Sequence, residues 1–210
     1  MEQYKLTDVK KGRNGISLTF ESVEYGDVRK LMLSEKLWDS LPFGKGDILT
    51  SGEVDEVENM TLTLRAFENT KIMLSYSGQS RGGLQRKLCL KGYSKEIAEA
   101  AVQMAEENGL LDEKREAYNK AEYCLRHKKW GKRRIVSDLI AKGYSKAAVS
   151  EAVDALDEDL FFENLISVIE GKAVPVDKNG RRKYIASLCR MGYTTGEVIS
   201  AIKEVAGREK

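Results

Sequence analysis

The densest chemistry in this 210-residue chain is a run of cations around one indole: Arg126-His127-Lys128-Lys129-Trp130-Gly131-Lys132-Arg133-Arg134, six of whose nine residues are Lys or Arg. Cations packed this closely bind phosphates or carboxylates. A second run, Lys178-Asn179-Gly180-Arg181-Arg182-Lys183, follows later, and a thinner set, Arg81, Arg86 and Lys91, precedes both. The candidate partner- or DNA-binding residues are therefore Arg81, Arg86, Lys91, Arg126, Lys128, Lys129, Lys132, Arg133, Arg134, Arg181, Arg182 and Lys183. The runs fall where helices are expected to begin, and a cation there opposes the helix macrodipole. A cluster repeated at that unfavourable place points to binding rather than to stability. Trp130 reads as a packing plug at a helix corner, although bases can stack on such a ring.

No catalytic constellation accompanies these cations. His127 is the sole histidine and has no carboxylate neighbour in sequence. The acid runs Asp112-Glu113 and Asp157-Glu158-Asp159 fall at helix starts, where they suit the dipole. There is no Gly-x-x-x-x-Gly-Lys-Ser/Thr phosphate loop and no metal-ligand spacing among the three cysteines. The chain reads as a non-enzyme without cofactor or metal. Net charge is only +2 with 32% charged residues, so the basic character is local. No apolar run is long enough to span a membrane, and the first residues lack a signal-peptide core. A cytoplasmic monomer is expected.

The elements that must hold the cations repeat. Leu88-Cys89-Leu90-Lys91-Gly92-Tyr93-Ser94 returns as Leu139-Ile140-Ala141-Lys142-Gly143-Tyr144-Ser145 and as Leu188-Cys189-Arg190-Met191-Gly192-Tyr193-Thr194, with glycines 51 and 49 residues apart. Each copy ends a helix with Gly, which takes the left-handed C′ conformation at little cost. A Tyr then covers the helix end, and Ser or Thr caps the next helix. The shared position of Cys89, Ile140 and Cys189 reads as a buried apolar site. The spacing predicts three units of three helices: 61–76, 81–91 and 95–107; 112–128, 132–142 and 146–156; 158–170, 178–191 and 196–205. Short helices bury little alone, so such units stack on their neighbours.

The first fifty residues differ. Segments 4–9, 16–23 and 28–33 alternate as strands, and Ser34 reads as the N-cap of a short helix, 35–41. Thr50-Ser51-Gly52-Glu53 has capping-box spacing and should open the helical part. The expected fold is mainly α: three tandem three-helix repeats in an elongated curved array, with a small β-rich N-terminal domain. The expected domains are 1–50, 51–109, 110–156 and 157–210. The N-terminal sheet is expected to cap the first repeat.

The second unit, Leu110-Leu111-Asp112-Glu113 through Tyr118, then Trp130-Gly131-Lys132-Arg133-Arg134-Ile135 and Leu139-Ile140-Ala141-Lys142-Gly143-Tyr144, resembles the signature stretch of the RecX family. The likeness is strongest over 81–156 and extends over nearly the whole chain. The third unit departs from it, with Met191-Gly192 in place of Lys-Gly, and the first has a thinner basic cluster. The resemblance implies three tandem three-helix repeats and a regulator of the RecA recombinase. Such a protein lodges in the groove of the RecA–DNA filament and modulates, most often inhibits, its ATPase, stability and strand exchange. Those are roles in homologous recombination, DNA repair and the SOS response. The implied partner is RecA and its nucleoprotein filament, with weak DNA binding beside it. The alternative reading is a helical-repeat module that binds DNA directly.

Overall fold

The computed structural model describes residues 2–172 and 174–208. The chain is mainly helical, with a four-stranded antiparallel sheet near its N-terminus. The sheet comprises β1 (Gln3–Gly12), β2 (Gly15–Ser22), β3 (Val28–Leu33) and β4 (Ile48–Thr50), in the order β3-β2-β1-β4. Alternation places Tyr4, Leu6, Ile16, Leu18, Phe20, Leu31 and Leu33 on one buried face. β4 was not expected. It holds only three residues, too few to show a period, and exists because Gln3, Tyr4 and Lys5 pair with Thr50, Leu49 and Ile48.

Helix α1 (Glu35–Trp38) begins where Ser34 accepts a hydrogen bond from the Leu37 N–H. It stops short of the expected Leu41. The N–H groups of Ser40 and Leu41 reach back only three residues, to Leu37 and Trp38, and this tighter turn ends the helix before Pro42. Helix α2 (Ser51–Tyr76) opens at the capping box: the Thr50 N–H donates to Glu53 at 2.7 Å, and the Glu53 N–H donates to the Thr50 hydroxyl at 3.3 Å. These bonds hold the Glu53 carboxyl below its usual range, the Thr50 backbone N–H contributing most. The helix therefore starts well before the expected Thr61. Its first turns are tied to the sheet, because Val54 and Val57 join the sheet core and Arg29 of β3 pairs with Asp55 and Glu58 at 2.8 and 2.6 Å.

The remaining helices are α3 (Arg81–Leu90), α4 (Lys95–Glu107), α5 (Glu113–Lys128), α6 (Lys132–Lys142), α7 (Lys146–Asp154), α8 (Glu158–Glu170), α9 (Lys178–Arg190) and α10 (Thr195–Arg208). The chain divides into two compact units. One runs to Ile72 and includes Lys87–Glu107; the other comprises Met73–Arg86 and the residues from Asn108 onward. In the first unit α4 buries Ile97, Ala98, Ala101, Val102 and Ala105, and Tyr93 accepts a hydrogen bond from Asn69 at 2.9 Å.

Two apolar cores lie among the described residues of the second unit. One gathers Leu125 of α5, Ile135 and Leu139 of α6, Val149 and Val153 of α7, and Phe161 of α8. The other gathers Leu165 and Ile169 of α8, Leu188 of α9, and Val198 and Ile202 of α10. Burying each such aliphatic side chain stabilises the fold by about 1.5–3 kcal/mol. Gly92, Gly143 and Gly192 are left-handed, as expected, with φ of 95, 91 and 101°.

The cysteine position does not match expectation. Cys89 is exposed, Cys189 is half-buried and Ile140 is 38% exposed. Each follows a buried leucine (Leu88, Leu139, Leu188), and one residue along a helix turns the side chain by about 100°. The leucine takes the core direction and its successor points away. Cys124 is the buried cysteine, and burial pushes its thiol up, which suits packing rather than reactivity.

Candidate functional site: a basic loop around Trp130

All the structure between α5 and α6 is compressed into Lys129, Trp130 and Gly131. Lys129 is left-handed, with φ of 51°, the one non-glycine residue so placed among the described residues. Its N–H and that of Trp130 both return to the Cys124 carbonyl, closing the end of α5. Gly131 is the N-cap of α6 but has no side chain with which to cap it. The exposed donors find another partner: the Gly131 N–H donates to the Met191 carbonyl at 2.8 Å, and the Arg133 N–H donates to the Gly192 carbonyl at 3.3 Å. Those carbonyls belong to the C-terminal end of α9. The N-terminus of one helix thus meets the C-terminus of another, and each satisfies orphan groups of the other. The negative end of α9 also offsets the cations Lys132, Arg133 and Arg134 in the first turn of α6.

The same seam occurs once more in this unit. The Gly82 N–H donates to the Gly143 carbonyl at 3.0 Å, and the Ser80 hydroxyl donates to the Lys142 carbonyl at 2.6 Å. Glycine is required at these joints because backbone meets backbone. A methyl group added at Gly131 would fall 2.5 Å from the Gly192 carbonyl, and one at Gly82 would fall 2.8 Å from the Gly143 oxygen.

Around the loop the cations are held, not scattered. The Lys128 ammonium lies 4.2 Å from the Trp130 ring centroid, and the Arg134 guanidinium carbon lies 4.1 Å from it. Trp130 itself packs against the α5–α7 core. Its expected role as a plug is met, and the ring also serves as a platform for two cations. Lys129 Nζ donates to the Ser167 hydroxyl at 2.6 Å. Lys132 pairs with Glu158 and lies over the Phe161 ring. Arg126 pairs with Glu122 at 3.0 Å. Arg134 also reaches the Arg190 carbonyl at 3.4 Å. Arg133 is exposed, and no ion pair of its side chain occurs among the described residues.

The other candidates are placed differently. Arg86 donates to the Lys142 carbonyl at 2.7 Å, so this cation serves the end of α6. Arg81 opens α3 and its N–H donates to Glu113 at 3.0 Å. Lys91 is exposed just beyond α3. Arg181, Arg182 and Lys183 are exposed on the first turns of α9. The structure gathers Lys128 and Arg134 on Trp130 and leaves Arg133, Arg182 and Lys183 accessible.

Sequence reasoning placed Tyr193 over a helix end but missed the seam and the hydrogen bond that this tyrosine makes across it. Tyr193 is buried and donates its hydroxyl hydrogen to the Lys129 carbonyl at 2.8 Å. Burial pushes this phenol well above its ordinary range, so it stays a donor through neutral pH, and Tyr144 is pushed up by burial in the same direction. A signal was present: Gly82 to Gly131 and Gly143 to Gly192 are both steps of 49 residues, so the two seams share one offset. Among the described residues no group of three or more His, Cys, Asp or Glu forms a metal cradle. No described helix is long and apolar enough to cross a membrane.

No protein-family model matches the chain. Curated relatives do. The chain is 32% identical over 117 residues to the regulatory protein RecX of Stenotrophomonas maltophilia (strain K279a), spanning 54% of this chain and 71% of that protein. It is 25% identical over 139 residues to the regulatory protein RecX of Clostridioides difficile (strain 630), spanning 66% of this chain and 65% of that protein. The latter match thus covers just under two thirds of its relative. Two crystal structures share the fold. One, of regulatory protein RecX, has a TM-score of 0.65 at 14% identity and covers 97% of this chain and 99% of its own. The other, of RecX from Lactobacillus salivarius, has a TM-score of 0.62 at 17% identity and covers 69% and 97%.

Proposed function

The chain belongs to the RecX family of regulatory proteins, and from that premise we propose that it regulates the RecA recombinase by binding the RecA–DNA filament. In this reading the filament groove receives the basic edge, and binding lowers RecA's ATPase, filament stability and strand exchange. The observation that carries the reading is the loop at Trp130, where Lys128 and Arg134 are fixed on one ring beside the exposed Arg133. Cations fixed in advance lose less freedom when they meet carboxylates or phosphates. Arg182 and Lys183 on α9 supply further contacts. Residues 51–109, 110–156 and 157–210 act as three helical repeats that each contribute contacts, with residues 1–50 as a separate small domain. Linked contacts of this kind gain affinity through effective concentration.

The test is RecA's single-stranded-DNA-dependent ATPase, titrated with this protein at moderate salt beside a DNA-only binding control. Inhibition at substoichiometric ratios, with weak binding to DNA alone, is the expected result. An unchanged ATPase, together with salt-sensitive DNA binding, would make the chain a nucleic-acid module instead.

A further inference from the structure

The basic loop is shaped by a part of the chain that carries none of its cations. We propose that Tyr193 is a positioning residue: through Lys129 it fixes the loop so that Lys128 and Arg134 remain together on Trp130 and face an acidic partner. The proposal rests on the loop being the binding element, as read above.

Four observations converge on it. The Lys129 carbonyl, which the left-handed turn exposes, is the acceptor of the buried Tyr193 hydroxyl at 2.8 Å. The two residues just before Tyr193, Met191 and Gly192, hold the Gly131 and Arg133 N–H groups. Tyr193 therefore closes a short brace whose two sides enclose Trp130. Lys129 occupies a conformation that costs an L side chain about 1–2 kcal/mol; its N–H is held by the Cys124 carbonyl within the helix end, and its carbonyl is held from outside by Tyr193. The other seam supplies the contrast: Tyr144 occupies the matching place but makes no equivalent hydrogen bond among the described residues, and the segment it faces carries Ser80 where this one carries Lys129. The tyrosine brace is found where the loop bears the cation cluster.

The test is a double-mutant cycle on the full chain, read as affinity for RecA-coated single-stranded DNA. Y193F removes one donor, and K128A/R134A removes the two cations on the ring. Circular dichroism and thermal unfolding verify that each variant folds. The proposal expects Y193F to weaken binding about 3–10-fold in the natural background and to have almost no further effect in K128A/R134A, as coupled residues do. Equal weakening in both backgrounds would overturn it, because Tyr193 would then act on general stability. A Y193F protein that binds normally, while K128A/R134A binds poorly, would overturn the positioning role and leave the function standing. If K128A/R134A itself binds normally, the loop is not the binding element, and both this inference and the mapping beneath it fall.

Discussion

The starts of α6 and α9 occupy matching places in the chain yet are closed in different ways. At α6 the N-cap is Gly131, without a side chain to offer, and the orphan N–H groups are met by carbonyls at the end of α9. At α9 the N-cap is Asp177, whose carboxylate accepts from the Gly180 N–H at 2.7 Å. Gly180 stands 49 residues after Gly131, the step that also separates Gly82 from Gly131. A methyl group added at Gly180 would meet the Asp177 carboxylate at 2.5 Å and Pro175 at 2.9 Å, both from its own loop. The first two glycines meet the backbone of a following helix end; the third meets its own cap. An aspartate side chain at α9 thus does the work that backbone carbonyls of another helix do at α6.

The largest expected effect separates the two kinds of joint. Gly192→Val places a side chain on a left-handed residue and within 2.5 Å of the Arg134 backbone nitrogen. Neither that nitrogen nor the Gly131 carbonyl oxygen, 2.6 Å away, can rotate aside, so urea unfolding should show a loss of more than about 3 kcal/mol. Gly180→Ala presses on the Asp177 carboxylate and the Pro175 ring, both in its own loop rather than in a backbone seam, and should cost about 1–2 kcal/mol through loss of the cap. Equal losses at the two glycines would erase the distinction between seam and cap.

Alkaline pH reads the seam by another route. Burial raises the phenols of Tyr193 and Tyr144 in the folded state. A group whose folded pKa is raised contributes stability that is fully present below its unfolded pKa, about 10 for tyrosine, and is lost as pH rises toward the folded value. Stability should therefore fall above about pH 10, with a slope of at most about 1.4 kcal/mol per pH unit for each group. Y193F should flatten that slope. An unchanged slope in Y193F would mean that the buried phenol does not couple to unfolding.

Smaller effects test the two helix starts directly. Asp177→Ala should cost about 1 kcal/mol in thermal or urea unfolding, the usual value of an N-cap. Loss of the cap without a measurable change would mean that α9 is closed in some other way. Lys129→Gly should raise stability by about 0.5–1 kcal/mol, since glycine accepts the left-handed turn freely. It should weaken filament binding at the same time, because it removes a cation and loosens the loop. A variant that gains stability and keeps full affinity would show that the lysine serves neither purpose.

The fold was legible where it depends on patterns that one residue type imposes. Alternation in β2 and β3 marks Leu18, Phe20, Leu31 and Leu33 as the sheet's inner face. Gly92, Gly143 and Gly192 mark helix ends because left-handed backbone favours glycine. The short β4 was not legible, since three residues carry no period. The outward turn of Cys89 was missed because the shared repeat position of Cys89, Ile140 and Cys189 identified apolar residues without their angle around the helix. For the site, the cations were plain in sequence and their arrangement was not. Main-chain carbonyls at Met191 and Gly192 shape the loop, and an acceptor common to every residue shows in sequence only through the glycines that let it approach. Arg86 shows the opposite case: a cation visible in sequence that the structure commits to the end of α6.

The most direct test of the account is the affinity of this protein for RecA-coated single-stranded DNA, measured beside its affinity for the same oligonucleotide without RecA at two salt concentrations. The account predicts tighter binding to the coated strand at both, with the difference lost when Lys128, Arg133 and Arg134 are replaced by Glu. Binding to the naked strand that equals or exceeds binding to the filament, and that falls steeply with salt, would contradict it.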